Sequence, residues 1–129
     1  MTIYINDTLR DAQLDKFITD CDLVHLVTAE TTDYATAVAS SMGSFTPAFT
    51  KGDYVGTGGG RQVLLSAESG VPITSSGEVA LNNFVFVNTT GSVVLQVNPA
   101  SGKTYDNGDF ANVPEVILTV VPDATLLGA

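Results

Sequence analysis

Residues 78–88, EVALNNFVFVN, read as the clearest strand of the chain, and the reading of its neighbours follows from them. In an extended segment Phe84 and Phe86 fall on one face and Val85 and Val87 on the other, because side chains alternate with period two. Outward from this stretch, short apolar segments run from Thr46 to Val121, parted by Gly and Asn turns. Arg61 to Glu68 sets Val63 and Leu65 against Leu64 and Ser66. Val71 to Thr74 ends in SSG, and Val93 to Val97 follows TTG. Asp106-Asn107-Gly108-Asp109 is a loop or hairpin turn in which Asn107-Gly108 tolerates positive φ. Glu115 to Val121 closes the set at Pro122, and Phe45 to Tyr54 reads as a further strand with Pro47 marking an edge or an early bulge. Seven or eight short strands at turn spacings of about 8 to 12 residues predict a mainly β fold, a single β-sandwich or jelly-roll-like domain.

Ahead of the strands, residues 7–21 predict one α-helix. Asn6 or Asp7 can cap it, Asp7 and Asp11 suit its positive N-terminal end, and Leu14, Phe17, Ile18 and Cys21 form one apolar stripe. That stripe packs on its own domain or docks on a neighbouring subunit, the first being the commoner case. Asp22 to Ala29, DLVHLVTA, predicts a strand apolar on both faces, buried against the helix on one side and a sheet on the other. Thr31 to Gly43 fits either a short helix or an irregular crossing. The expected organisation is one domain over 1–129: arm and helix at 1–22, sandwich at 23–123, tail at 124–129. The arm Thr2, Ile3, Tyr4, Ile5 is either the first strand of its own sheet or a strand added to a neighbour.

Composition narrows the classes. An apolar fraction of 44% with 15% charged residues is that of a globular chain. Fourteen acidic residues against five basic give a formal charge of −9, with seven of the acids between Asp7 and Asp33. Such a chain repels nucleic acid and anionic lipid, and no basic stripe is present to hold phosphates. Neither partner is expected. The lone Cys21 allows no internal disulfide. The start MTIYINDTLRD lacks the basic and apolar regions of a secretory signal, and no apolar run approaches the ~20 residues of a membrane span. Synthesis and folding in a cytoplasm are expected, and the triplets Asn6-Asp7-Thr8 and Asn88-Thr89-Thr90 match the glycosylation pattern by chance.

Reactive groups are few. Gly102-Lys103-Thr104 lacks the glycine of a phosphate loop, since Val97 stands there. Gly56 to Gly60 fails the dinucleotide fingerprint at Arg61 and has no βαβ frame. His25 has no second His or Cys at zinc-ligand spacing, so a satisfied, partly buried imidazole is expected. Cys21 is expected as a buried thiol. Asp106, Asn107 and Asp109 offer three oxygen ligands in one turn, a modest calcium possibility without the twelve-residue loop. Glu68, Glu78 and Glu115 are the carboxylates available for glycoside chemistry, with Tyr34, Tyr54 and Tyr105 as the sugar platform; the absence of Trp weighs against both. No enzyme, metal or cofactor is expected.

The run Leu23 to Val38, LVHLVTAETTDYATAV, then a Phe-bearing strand, then Gly59-Gly60-Arg61-Gln62-Val63 leading to LSAESGVPITSSGEVA, resembles a family of small virion structural proteins of tailed bacteriophages. The resemblance spans Leu9 to Pro122 and is weakest at Ala111 to Glu115. It implies a β-sandwich virion component, foremost a capsid decoration or cement protein on the outer head surface. The implied partners are the major capsid protein and two further copies in a homotrimer. The alternatives are a tail, neck or receptor-binding accessory, or a small carbohydrate- or calcium-binding module. The family supplies no functional residues, so contact candidates come from position: Thr2, Ile3, Tyr4, Ile5, the helix face, and the loop with Gly58, Gly59, Gly60 and Arg61.

Overall fold

Alternating apolar residues and the turns between them produce a mainly β chain. The computed structural model describes residues 2–4, 7–53, 61–75, 77–120 and 123–125. In chain order the elements are β1 (Thr2–Tyr4), α1 (Asp7–Asp20), β2 (Leu23–Val27), α2 (Tyr34–Ala39), β3 (Ser41–Phe45), β4 (Phe49–Asp53), β5 (Arg61–Leu65) and β6 (Glu68–Pro72). They continue with β7 (Val79–Ala80), β8 (Asn83–Asn88), β9 (Val93–Pro99), β10 (Thr104–Tyr105), β11 (Phe110–Val113), β12 (Val116–Val120) and β13 (Asp123–Thr125). Every strand pairing among the described residues is antiparallel.

Contacts gather the chain into two units. One combines 1–19, 48–66 and 115–129; the other combines 20–47 and 67–114. The chain therefore passes between them four times, and no single cut in the sequence parts them. Arm and helix group with β4, β5, β12 and β13, not as a separate appendage.

The first unit holds the sheet β12-β5-β4 and the ribbon β1-β13. Helix α1 forms over 7–20 of the predicted 7–21, so Cys21 lies beyond it and off the predicted stripe, while Leu14, Phe17 and Ile18 turn inward. Leu14 is buried with Val63, and Phe17 and Ile18 pack there with Phe49 and Val116. The Phe17 and Phe49 rings meet edge-on at 5.5 Å and 65°. Lys51 Nζ reaches Asp15 Oδ1 at 2.6 Å, an exposed pair of small energetic weight. The helix face named as a contact candidate thus belongs to the unit's own core.

The second unit is built on the sheet β3-β2-β8-β9, with the ribbons β11-β6 and β10-β7. Register places His25 opposite Val85 and Ser44, and Val24 opposite Phe86 and Phe45. Opposed residues share a face, so Leu23, His25, Val27, Val85 and Val87 line one side and Val24, Leu26, Phe84 and Phe86 the other. Both faces of β8 are buried from Phe84 to Val87, as the apolar run predicts. The helix on the Val85–Val87 side is α2, whose Ala37 and Tyr34 join Val27, Val85 and Val87. The sequence assigned that cover to α1. An alanine-rich stretch after a capping aspartate explains α2: Asp33 accepts from Thr36 N at 2.9 Å and from Thr36 Oγ1 at 2.7 Å.

Three predicted strands are broken, the first at 61–68, where β5 ends at Leu65 and Glu68 opens β6 in the other unit. Residues 78–88 split into β7 and β8 because the backbone changes partners between them. Leu81 N donates to Lys103 O at 2.8 Å, while Asn82 N donates to Val27 O at 3.1 Å. Residues 45–54 split at Thr46–Ala48, where Pro47 has no N–H for a ladder and the chain leaves one unit for the other. At the Asn107-Gly108 turn, Gly108 takes φ +92°, the left-handed region that the sequence foresaw.

Candidate functional site

The position-based contact candidates fall in separate places. Thr2, Ile3 and Tyr4 pair with Thr125, Ala124 and Asp123 of the same chain. The arm is a strand of its own sheet, one of the two readings the sequence offers. Ile5, Gly58, Gly59 and Gly60 lie outside the described residues, as do Asn6, Tyr54 and Pro122. Arg61 opens β5 opposite Asp53 and Val120. The arm and β5 belong to different sheets.

His25 differs from expectation in an informative way. The residue is 7% exposed, and Nδ1 lies 2.8 Å from Ser41 Oγ. Ser41 Oγ in turn donates to Gly43 O at 2.9 Å. A hydroxyl carries one proton, so Ser41 must accept from His25 while it donates to Gly43. The neutral imidazole is therefore the Nδ1–H tautomer, and Nε2 is left as a buried acceptor without a partner among the described residues. The expected satisfied histidine is half satisfied. Sequence could place His25 on an apolar strand but held no sign of the Ser41 bond sixteen residues away.

The consequence is a pH dependence. Burial holds the His25 pKa below its ordinary 6.5, because a charged ring would bury a second, unbonded N–H. No ionisable residue occurs in β3 or β8, and Tyr34 is the only one in α2, so no neighbouring strand offers a counter-charge. The unfolded chain takes up a proton on this histidine at higher pH than the folded chain does. Stability is then fully present above about 6.5 and falls as pH drops through that value. Melting temperature should hold level from pH 8 to 7, then decline, and His25→Asn, which keeps a donor near Nδ1, should remove that decline. An unchanged slope in the variant would assign it to another group.

Other ionisable groups hold the architecture. Asp22 accepts from the Thr89 hydroxyl and from Thr89 N, the latter at 3.0 Å. Those two bonds hold its carboxyl below the ordinary 3.8. Asp33 is held low by the Thr36 hydroxyl and then by Thr36 N. Both contributions are present above 3.8 and lost as pH falls below it, a second acid step separate from that of His25. Asn88 of the glycosylation triplet donates to Asp20 O at 2.7 Å and accepts from Gly91 N, so its amide closes the β8–β9 turn. Cys21 sits just past α1, buried, with its thiol raised to about 11 chiefly by desolvation. It packs as a small hydrophobe.

The remaining candidates do not converge. Asp109 Oδ2 accepts from Asp106 N at 2.8 Å, so this carboxylate braces the turn. No group of three or more His, Cys, Asp or Glu among the described residues is placed to hold a metal. Tyr105 is buried, with Lys103 Nζ 5.2 Å from its ring centre, and Tyr34, the first residue of α2, is half-buried against Val27, Val85 and Val87, so neither ring stands out as a sugar platform. What sequence missed is on the surface. Phe110 is 64% exposed, and Ile117, Val93 and Val38 are exposed as well. No described helix is long and apolar enough to cross a membrane. Comparison with protein families, with curated proteins and with solved structures finds no match.

Proposed function

We propose that this protein is a non-enzymatic virion component of a tailed bacteriophage, a decoration protein that binds the outer head surface as a homotrimer. Its partner on the particle is the major capsid protein, and its action is to tie neighbouring capsomers together. The observation that carries the reading is the use made of the side chains. The reactive groups described above brace turns, caps and strands, while large apolar side chains on β9, β11 and β12 stand exposed. Exposed apolar groups on rigid sheets suit a protein that works by contact.

The test mixes purified protein with undecorated heads at low and molar salt, pellets the particles and counts bound copies. Light scattering of the free protein gives its mass. Saturable binding, with a free mass near three times 13.4 kDa, is expected. Absence of binding to heads at every salt concentration sinks the decoration role, and a monomer at all concentrations sinks the trimer.

A further inference from the structure

We propose that the second unit carries a docking surface, between α2 and the exposed face of the β6–β11 ribbon, for a peptide segment apolar at its centre and basic beside it. The surface begins at a cavity of about 420 Å³ whose wall includes His25, Val38, Ser44, Pro72 and Thr74. Val38 is exposed at 44% on the α2 side. On the other side the ribbon has two distinct faces. Val71 and Ala111 oppose each other and are buried, while Pro72 and Phe110 oppose each other and are exposed. Directly opposed residues lie about 4.5 to 5.5 Å apart at Cα, so Phe110 adjoins the cavity lip at Pro72. Val38, Pro72 and Phe110 thereby give the cavity an apolar border.

Its polar wall carries the Ser41, Ser44 and Thr74 hydroxyls and the His25 ring. Ile73, between two cavity residues, donates to Asp109 O at 2.9 Å and accepts from Gly108 N at 2.9 Å. Those bonds fix the turn with exposed Asp106 and Asp109 beside the lip. Charge then selects the occupant. This unit holds eight acidic residues and one basic residue, Lys103, a formal −7 of the chain's −9. Lys103 itself lies against the Tyr105 ring. A second copy of this chain, a nucleic acid or an anionic membrane would each meet a like-signed field. A segment with lysine or arginine around an apolar side chain meets acid where it is basic and Phe110 where it is apolar. The surface stands whether or not the chain coats a capsid, and its test uses no particle.

His25 is the only histidine, so its imidazole resonances report on the cavity without ambiguity. The probe is the acetylated, amidated peptide lysine–leucine–lysine–leucine–lysine, titrated into the full chain by NMR at low salt. Two controls replace its lysines by glutamate or its leucines by serine. The expected result is saturable shifting at His25, Val38, Thr74 and Phe110, with each control at least about fivefold weaker. Phe110→Ser should weaken binding by a similar factor, and so should Asp106→Asn with Asp109→Asn, which keeps the acceptor that braces the turn. Equal binding of all three peptides, shifts confined to other residues, no saturation, or an unaffected Phe110→Ser each overturns the proposal. Failure here leaves the particle experiment standing, and the converse holds.

Discussion

Replacing Phe86 by alanine should lower stability by about 3 to 5 kcal/mol, while the same change at Phe110 should stay within about 0.5 kcal/mol. Phe86 lies at the centre of β8, which is paired on both sides by β2 and β9. Its side chain has no exposed surface, and its register neighbours Val24 and Phe45 on the same face are buried with it. Truncation removes the ring's transfer energy and leaves a cavity that a strand hydrogen-bonded on two sides cannot collapse to fill. Against a typical total of about 5 to 15 kcal/mol, that loss is a large share. Urea unfolding is the measurement. The midpoint should fall steeply for Phe86→Ala with the slope unchanged, and hardly at all for Phe110→Ala. Equal losses at the two positions would mean that Phe110 is covered in solution or that Phe86 is not.

The two phenylalanines also show how far the sequence was legible. Alternation in Phe84 to Val87 announced a strand with two apolar faces, and both faces are indeed buried. The pattern at Phe110, Ala111, Asn112 and Val113 alternates too, but in the opposite sense: the largest apolar side chain is outside and the alanine is inside. Asn112 shares the outer face with Phe110, and Val113 shares the inner face with Ala111. Pairing with β6 agrees with that orientation, since Val71 opposite Ala111 is buried and Pro72 opposite Phe110 stands at the surface. Such long-range register leaves little local trace. For the same reason the grouping into two units was invisible. Its members are interleaved along the chain, and contact, not composition, assigns helix α1 to β5 and α2 to β8.

Chemistry was legible by type and not by geometry. A lone histidine on an apolar strand pointed to burial, which holds. That one nitrogen would be held by Ser41 and the other left without a donor depends on the short turn from α2 into β3. The uneven acid count along the chain pointed to its N-terminal third. Folding assigns the charge differently, leaving one unit close to balance and the other at −7.

Gly43→Ala should be costly for the addition of a single methyl group, about 1 to 3 kcal/mol or more. A Cβ at Gly43 would stand 2.6 Å from Pro72 O, a backbone atom, with Ile73 Cδ1 and Val71 Cγ1 both at 3.6 Å. A flexible side chain could move aside, but this carbonyl cannot move alone. Thr74 N donates to Met42 O at 2.8 Å, which ties the segment after β6 to the residue beside Gly43. Relief therefore requires β3 and residues 72–74 to separate, and Gly43 O would carry its bond from Ser41 with it. Gly52→Ala is the control. It lies in β4 with nothing within 4 Å of its added methyl, so the loss of unfolded-state freedom makes it neutral or stabilising by about 0.4 to 1 kcal/mol. Thermal unfolding compares the two, and the His25 imidazole resonance supplies a second readout. In Gly43→Ala that resonance should shift, because the Ser41 hydroxyl that holds Nδ1 is displaced along with its acceptor, whereas in Gly52→Ala it should not. A Gly43→Ala protein as stable as wild type, with an unmoved imidazole, would mean that the close approach of β3 to Pro72 is not maintained in solution. The cavity wall that the two segments form together would then have to be redrawn.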